Sequence, residues 1–316
     1  MVSKLEQRYS ALVLEGGGIS GIAHCGVLKV LDEHDKLKDI KFVVGASAGS
    51  IAAAGIAANI PLTDIKDILL NTDFNKFRDD SYGYIQDTWR LINDFGWYKG
   101  DALEEWFGGV MKKYQGNSAI TLEELHKNTG KTLIAVVTDI NRGAPVYISY
   151  MTNPTMKVKT LVRRSCGIPI VFKADKEKIL TEILKKDGSV TYEDVDHYFI
   201  DGGVLDNYPI KQAYKYVPEE EVIGIKLMTS KEIHQLKNPH LATNPYPPKN
   251  LFSYILLLIT MLRSNLLKMH IDDEDWKRTI KVDVEDISAT DFGITMEEKL
   301  FLMDQGVKAA TNFFNI

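Results

Sequence analysis

Apolar runs of strand length alternate with stretches of helical spacing along much of the chain. Tyr9-Ser10-Ala11-Leu12-Val13-Leu14 has the length of a buried strand. After a glycine-rich turn, Ile22, Val27, Val30 and Leu31 recur at helical spacing, with Lys29 and Glu33 on the other face. Phe42-Val43-Val44 predicts a second strand. Ile51 to Ile60 is nearly all small and apolar, which predicts a buried, tightly packed helix, and Pro61 stops it. Thr121 to Leu125 reads as a short capped helix. Leu133 to Asp139 is apolar on both faces, as a central parallel strand should be. Further strands are predicted at Val146 to Tyr150, Tyr198 to Ile200, Val222 to Leu227 and Thr279 to Val284. Helices are predicted at Val158 to Arg164 and Glu297 to Phe314.

Three stretches fit the pattern less well. Phe74 to Phe107 is dense in aromatics, among them Tyr82, Tyr84, Trp89, Phe95 and Trp106. It is either a cap over an apolar substrate or a set of packed helices, and packing is the commoner use of aromatics. Asp175 to Asp194, rich in Lys and Glu, reads as a solvated excursion. Leu251 to Leu262 is too short to span a bilayer, which takes about 20 residues. It is a buried helix or one lying on a membrane face; the pattern continuing through Leu266, Leu267 and Met269 favours burial. Pro239 to Lys249 reads as a linker. No repeat or composition shift divides the chain, so a single domain with insertions is expected.

Composition adds mostly exclusions. The net charge of −5 over 316 residues gives no basic field for nucleic acid. Cys25 and Cys166 make neither a disulfide framework nor a metal cluster and read as core residues. The polar N-terminus has no secretory h-region, which predicts a protein inside a cell.

The candidate chemistry sits where strands end. Gly45-Ala46-Ser47-Ala48-Gly49, between a strand and a helix, has the form of a nucleophile elbow. Gly16-Gly17-Gly18-Ile19-Ser20-Gly21 also satisfies a dinucleotide pattern. A Rossmann reading needs an acidic residue after the second strand, where Gly45-Ala46-Ser47 stands instead. The alternative is an oxyanion hole, with the Gly17 and Gly18 amides aimed at a carbonyl attacked by Ser47. Asp201, at a strand end before Gly202 and Gly203, serves equally well as a general base or as a turn former. An α/β-hydrolase order would need a late histidine, and His234, His240 and His270 lie in no distinctive loop. His24 and His34, on the first helix, read as packing or surface residues. A Ser–Asp dyad is the other layout. It needs a dry pocket, because burial makes a carboxylate more basic and strengthens the oxyanion hydrogen bonds.

The three motifs, in this order, resemble the signatures of patatin-like phospholipases. The resemblance extends to Ala23 to Leu28, Gly96 to Leu103, Thr132 to Asp139, Ser165 to Phe172, Asp201 to Pro209 and the helix starting near Met296. It implies a three-layer α/β/α sandwich with a mainly parallel sheet, as one domain over residues 1–316. The catalytic motifs would lie within about 8–212, and about 250–316 would pack on them as an extension. It further implies a lipid acyl hydrolase with Ser47 as nucleophile and Asp201 as proton acceptor. Gly16, Gly17, Gly18 and Gly21 would form the oxyanion loop, Gly45 and Gly49 the elbow, and Gly202 and Gly203 the turn after the base. The scheme needs no metal or organic cofactor. The substrate would be a phospholipid or other acyl lipid, met through transient membrane contact by a cytoplasmic protein, and a protein activator is compatible with the family. Two departures stand out: Ser20 replaces a usual Arg or Lys, and Lys173-Ala174 stands where a proline is common. Two other readings compete: a lipid-binding protein with an idle site, and a soluble-ester hydrolase or acyltransferase.

Overall fold

The computed structural model describes residues 4–79, 91, 93–238, 248–285 and 287–316. Strand β1 (Ala11–Leu14) leads through a 3-10 turn (Gly18–Ile22) into helix α1 (Ala23–Glu33). Strand β2 (Phe42–Ala46) leads directly into α2 (Ala48–Ala57), and α3 (Leu62–Asn71) follows. Then come β3 (Gly96–Tyr98), α4 (Asp101–Gln115), α5 (Leu122–Thr129), β4 (Thr132–Asp139), β5 (Ala144–Ile148), α6 (Val158–Ser165) and β6 (Ile170–Phe172). The chain continues through β7 (Asp175–Leu184), β8 (Val190–Asp201), α7 (Ile210–Ala213), β9 (Val222–Met228) and α8 (Ser230–Lys237). It finishes with α9 (Leu251–His270), α10 (Asp273–Lys277), β10 (Thr279–Asp283) and α11 (Met296–Phe314).

The main sheet has the order β10-β9-β1-β2-β4-β8-β7 and is parallel from β10 through β4. This is the mixed α/β class with a mainly parallel sheet. Strand side chains alternate between faces, so one strand feeds two cores. Leu12, Leu14, Val43, Leu133 and Ile223 join Leu28 and Leu31 of α1, Ala53 of α2 and Leu302 of α11. Ala11, Val13, Val44, Ile134 and Val222 face Tyr208, Ile210 and Ala213 instead. The outer layers are therefore unequal, and the second rests on a short helix. β1 pairs with β2 on one side and β9 on the other, with Leu14 level with both Gly45 and Ile225. Open α/β sheets place their ligand crevices at such a switch of strand order.

Several expectations change. β4 is parallel only to β2; β5 and β8 run antiparallel to it. The charged stretch after Asp175 is a regular antiparallel hairpin, and the strand expected at Tyr198 to Ile200 is the end of its twelve-residue second arm. Ile179, Thr181 and Ile183 are half-buried while their neighbours face solvent, a period of two that the Lys and Glu content obscured. The hairpin is anchored at its base. His197 Nδ1 lies 2.8 Å from Asp139 Oδ2, and Arg164 pairs with Asp175 and Glu177. Of the aromatics, Phe74, Phe77 and Phe107 are core residues and Trp106 packs on them, whereas Phe95 is exposed. Tyr82, Tyr84 and Trp89, and residues 239–247 of the expected linker, lie outside the described residues.

The expectation that the Leu251 segment is buried is overturned. Leu251 is 72% exposed and Met261 51%, and Tyr254, Leu258 and Leu262 are exposed beside them. The reason lies on the other side of the helix, where Arg263 and Ser264 turn inward to a cavity. No helix among the described residues is long and apolar enough to cross a membrane.

Candidate active site

Ser47 stands between β2 and α2 with φ +50° and ψ −128°, a conformation that L residues rarely adopt. Strand and helix almost touch there. A Cβ on Gly45 would fall 2.3 Å from the Gly49 carbonyl oxygen, and one on Gly49 2.2 Å from that of Leu14. The spacing of the elbow glycines follows from those two contacts. Both peptide groups of Ser47 are held. Its N–H donates to Ser165 Oγ at 3.0 Å, and its carbonyl accepts from the Ser50 N–H and hydroxyl at 2.8 and 2.6 Å. Ser165 in turn donates to the Val136 carbonyl at 2.7 Å.

Asp201 ends β8. Its Oδ2 accepts the Ser47 hydroxyl at 2.6 Å, and its Oδ1 accepts the Gly203 N–H at 2.7 Å. The Asp201 N–H donates to the Gly167 carbonyl, and the Thr138 hydroxyl donates to the Asp201 carbonyl. One side chain thus both meets the serine and caps the turn. Ser47 is 6% exposed and Asp201 5%. Burial raises the Asp201 pKa, opposed by the Ser47 hydrogen bond, the Arg263 charge and the Gly203 amide. Such a carboxyl is a stronger base than one in water.

The glycines after β1 divide by role. The Gly16 N–H donates to the Asn207 carbonyl at 3.0 Å, so Gly16 supplies space and no free donor. Gly21 packs against Ala48. The N–H groups of Gly17 and Gly18 donate to no described residue. Gly18 has φ +54°, and a Cβ there would strike the Ala289 carbonyl. Beyond Asp201, Gly202 lies against the Val136 carbonyl.

The loop rests on a buried polar group that the sequence analysis passed over. Glu15 accepts from Lys226 Nζ, from the Leu227 N–H at 2.7 Å and from Asn207 Nδ2 at 3.0 Å. Asn207 Nδ2 also donates to the Gly16 carbonyl at 2.8 Å. Burial raises the Glu15 pKa, and Lys226 opposes it. A glutamate closing an apolar strand and a lysine inside another are visible signals, since such residues are seldom buried unless paired. Nothing comparable marks Asn207. His24 Nε2 lies 2.9 Å from the Glu15 carbonyl, and burial lowers its pKa to about 4, leaving it a neutral structural group. His34, His234 and His270 are exposed, and His240 lies outside the described residues. Cys25 and Cys166 are buried and free of disulfides, with Cys166 Sγ 3.8 Å from Ser50 Oγ.

Beside Ser47 and Asp201 is a cavity of about 630 Å³, with Gly16, Gly17, Ser20 and Asn207 on one wall and Arg263 and Ser264 of α9 on another. Ser47 and Asp201 are not in its lining. Gly16, which does line it, adjoins Ser47: a Cβ on Gly16 would lie 2.9 Å from Ser47 Cβ. Ser20 donates its hydroxyl to the Ile287 carbonyl at 3.1 Å and brings no charge to the cavity.

Residues 12–214 match the sequence model of the Patatin-like phospholipase family. The chain is 30% identical to protein YqhO of Bacillus subtilis over 316 residues, 96% of each protein. It is 26% identical to Triacylglycerol lipase 5 of Saccharomyces cerevisiae over 69% of this chain and 30% of the yeast protein. The fold is similar to that of VipD from Legionella pneumophila, with a TM-score of 0.60 at 18% identity, covering all of this chain and 69% of that one. With matches over most of its length to the family model and to YqhO, the chain belongs to the patatin-like phospholipase family.

Proposed function

We propose that the protein hydrolyses fatty-acyl esters of lipids with a Ser47–Asp201 dyad. The observation that carries this is the 2.6 Å hydrogen bond from the Ser47 hydroxyl to a buried Asp201 carboxylate, at an elbow with positive φ. Ser47 Oγ attacks the ester carbonyl while Asp201 Oδ2 takes its proton. The Gly17 and Gly18 amides receive the developing oxyanion. The intermediate collapses to an acyl-serine, and the departing alcohol takes the proton from Asp201. Water then attacks the acyl-serine, Asp201 takes its proton, and the fatty acid leaves as that proton returns to Ser47. Low exposure suits the scheme, because it keeps the carboxylate basic and the oxyanion contacts strong.

Lipid is met through α9. Leu251, Tyr254, Leu258, Met261 and Leu262 form one exposed apolar stripe. The opposite side of the same helix walls the cavity. A helix apolar outside and polar toward a pocket suits a lipid surface, into which the stripe would settle.

The test is fatty-acid release from mixed phospholipid and acylglycerol vesicles, read by mass spectrometry. Wild type should release fatty acid and Ser47→Ala should not. Equal release by both would remove the assignment. Stoichiometric lipid binding without product would favour the binding-protein reading.

A further inference from the structure

Four cationic side chains of described residues line the cavity: Lys211, Lys226, Lys231 and Arg263. Lys226 is held by Glu15, and Lys211 by Asp272 and Asp275. Arg263 is different. Half-buried on α9, it makes no hydrogen bond or ion pair with a described residue. Its charge is felt by two buried carboxyls, Asp201 and Glu15, which places it close to the dyad and to the glycine loop together. A guanidinium carries five donors in a rigid fork that matches the oxygens of a phosphate. Facing a cavity with no protein partner among the described residues, that fork is open to the oxygens of a ligand.

We propose that Arg263 is the headgroup-selecting residue, binding the phosphodiester of a glycerophospholipid while the acyl ester lies against Gly17 and Gly18. This deepens the acyl-hydrolase reading and rests on it. The inner side of α9 supports the geometry. Ser264 follows Arg263 on the cavity wall, and Gly16, Gly17 and Ser20 face them from the loop. The cavity volume of about 630 Å³ accommodates a headgroup and glycerol backbone, leaving the chains to the membrane side. A neutral acylglycerol has no group for this fork, so Arg263 separates two lipid classes that share the same ester.

The experiment compares wild type, Arg263→Gln and Arg263→Lys on diacyl phosphatidylglycerol and on diacylglycerol with the same chains, both in one detergent micelle. The readout is the ratio of the two kcat/KM values. Wild type should favour the phospholipid. Arg263→Gln should reduce the ratio about 10-fold or more, the order expected for a charge-assisted hydrogen bond. Arg263→Lys should keep the charge but lose the fork and fall between. Glycerol phosphate, without acyl chains, should inhibit diacylglycerol cleavage by wild type more than by Arg263→Gln. That arm separates recognition of the lipid headgroup from capture of free phosphate: inhibition with an unchanged ratio would indicate a free-anion site and overturn the headgroup claim. Equal losses on both lipids would also overturn it, reducing Arg263 to a counter-charge for Asp201 and Glu15. If wild type cleaves neither lipid, the hydrolase reading fails. The headgroup claim is then read from Ser47→Ala binding non-hydrolysable ether phospholipid over ether diglyceride, and equal binding rejects it.

Discussion

The Ser165 hydroxyl accepts a hydrogen bond from the Ser47 N–H at 3.0 Å and donates one to the Val136 carbonyl at 2.7 Å. A residue on α6 thereby holds the backbone of Ser47, the proposed nucleophile, in a conformation it would not keep alone. With φ at +50°, Ser47 is strained, and such strain persists only where the surroundings fix it. Ser165→Ala removes that restraint and leaves the buried Ser47 N–H without an acceptor. The fold should survive, with a stability loss of about 1–3 kcal/mol. The rate of labelling by a fluorophosphonate probe should fall about 10-fold, because small displacements of a nucleophile are costly. Labelling at the wild-type rate would mean that the elbow is rigid without Ser165.

With Asp201 as the proposed base, its titration should set the pH dependence. It accepts a proton only when ionised, and burial raises its pKa. Activity should therefore fall as pH drops through a value above the ordinary aspartate pKa of about 3.9. Three groups hold the pKa down: the Ser47 hydroxyl, the Arg263 charge and the Gly203 amide. Arg263→Gln should then move the acid limb to higher pH. Asp201→Asn should fold, remove the limb and reduce the rate by more than about 100-fold. A pH series on a soluble ester decides this, and a limb at or below 3.9 would contradict the basic role of the carboxyl.

His24 affects stability rather than catalysis. It is fully buried, against the Glu15 carbonyl, and its pKa is lowered to about 4 from an ordinary value near 6.5. Between these values the unfolded chain binds a proton that the native state does not, so stability is present above about 6.5 and is lost as pH falls toward 4. The loss amounts to about 3 kcal/mol at most. Urea unfolding at pH 7 and pH 4.5 should show it. His24→Gln, which cannot titrate, should lower stability at pH 7 but flatten this component of the pH dependence. An unchanged slope would assign acid sensitivity to other groups.

The chemistry was legible where backbone demands leave a short local signature. Gly45, Ser47 and Gly49 are constrained by contacts within a few residues of one another and β1, and Asp201 precedes the two glycines that its turn uses. What supports the site was not legible. Ser165 lies 118 residues from Ser47, and Asn207 lies 191 residues from Gly16. Neither residue type nor periodicity reports a partner at such separation. The same limit explains α9. Its apolar content was plain, but which side would face outward depended on where a cavity formed between distant segments. The hairpin failed differently: its period of two was present, but exposed Leu180 and Leu184 share a face with charged residues and blur the alternation.

The outward stripe of α9 gives the last prediction. Leu258 and Met261 are three residues apart, exposed, and lie on the same face as Leu251, Tyr254 and Leu262. If the stripe enters the headgroup and acyl boundary, a carboxylate there must be dehydrated and must also approach an anionic surface. The Leu258→Asp/Met261→Asp double variant should float poorly with vesicles containing phosphatidylglycerol. Its hydrolysis of vesicle lipid should fall about 10-fold or more, since each buried aliphatic side chain is worth about 1.5–3 kcal/mol. Turnover of a monomeric soluble ester should fall far less, because that ester reaches Ser47 without the surface. Asp substitutions at Leu180 and Leu184 on the hairpin, which are more exposed still, serve as the control for added charge. Flotation lost only in the hairpin variant would move the contact to β7, and equal losses on vesicle and soluble ester would make the α9 substitutions a defect of folding instead.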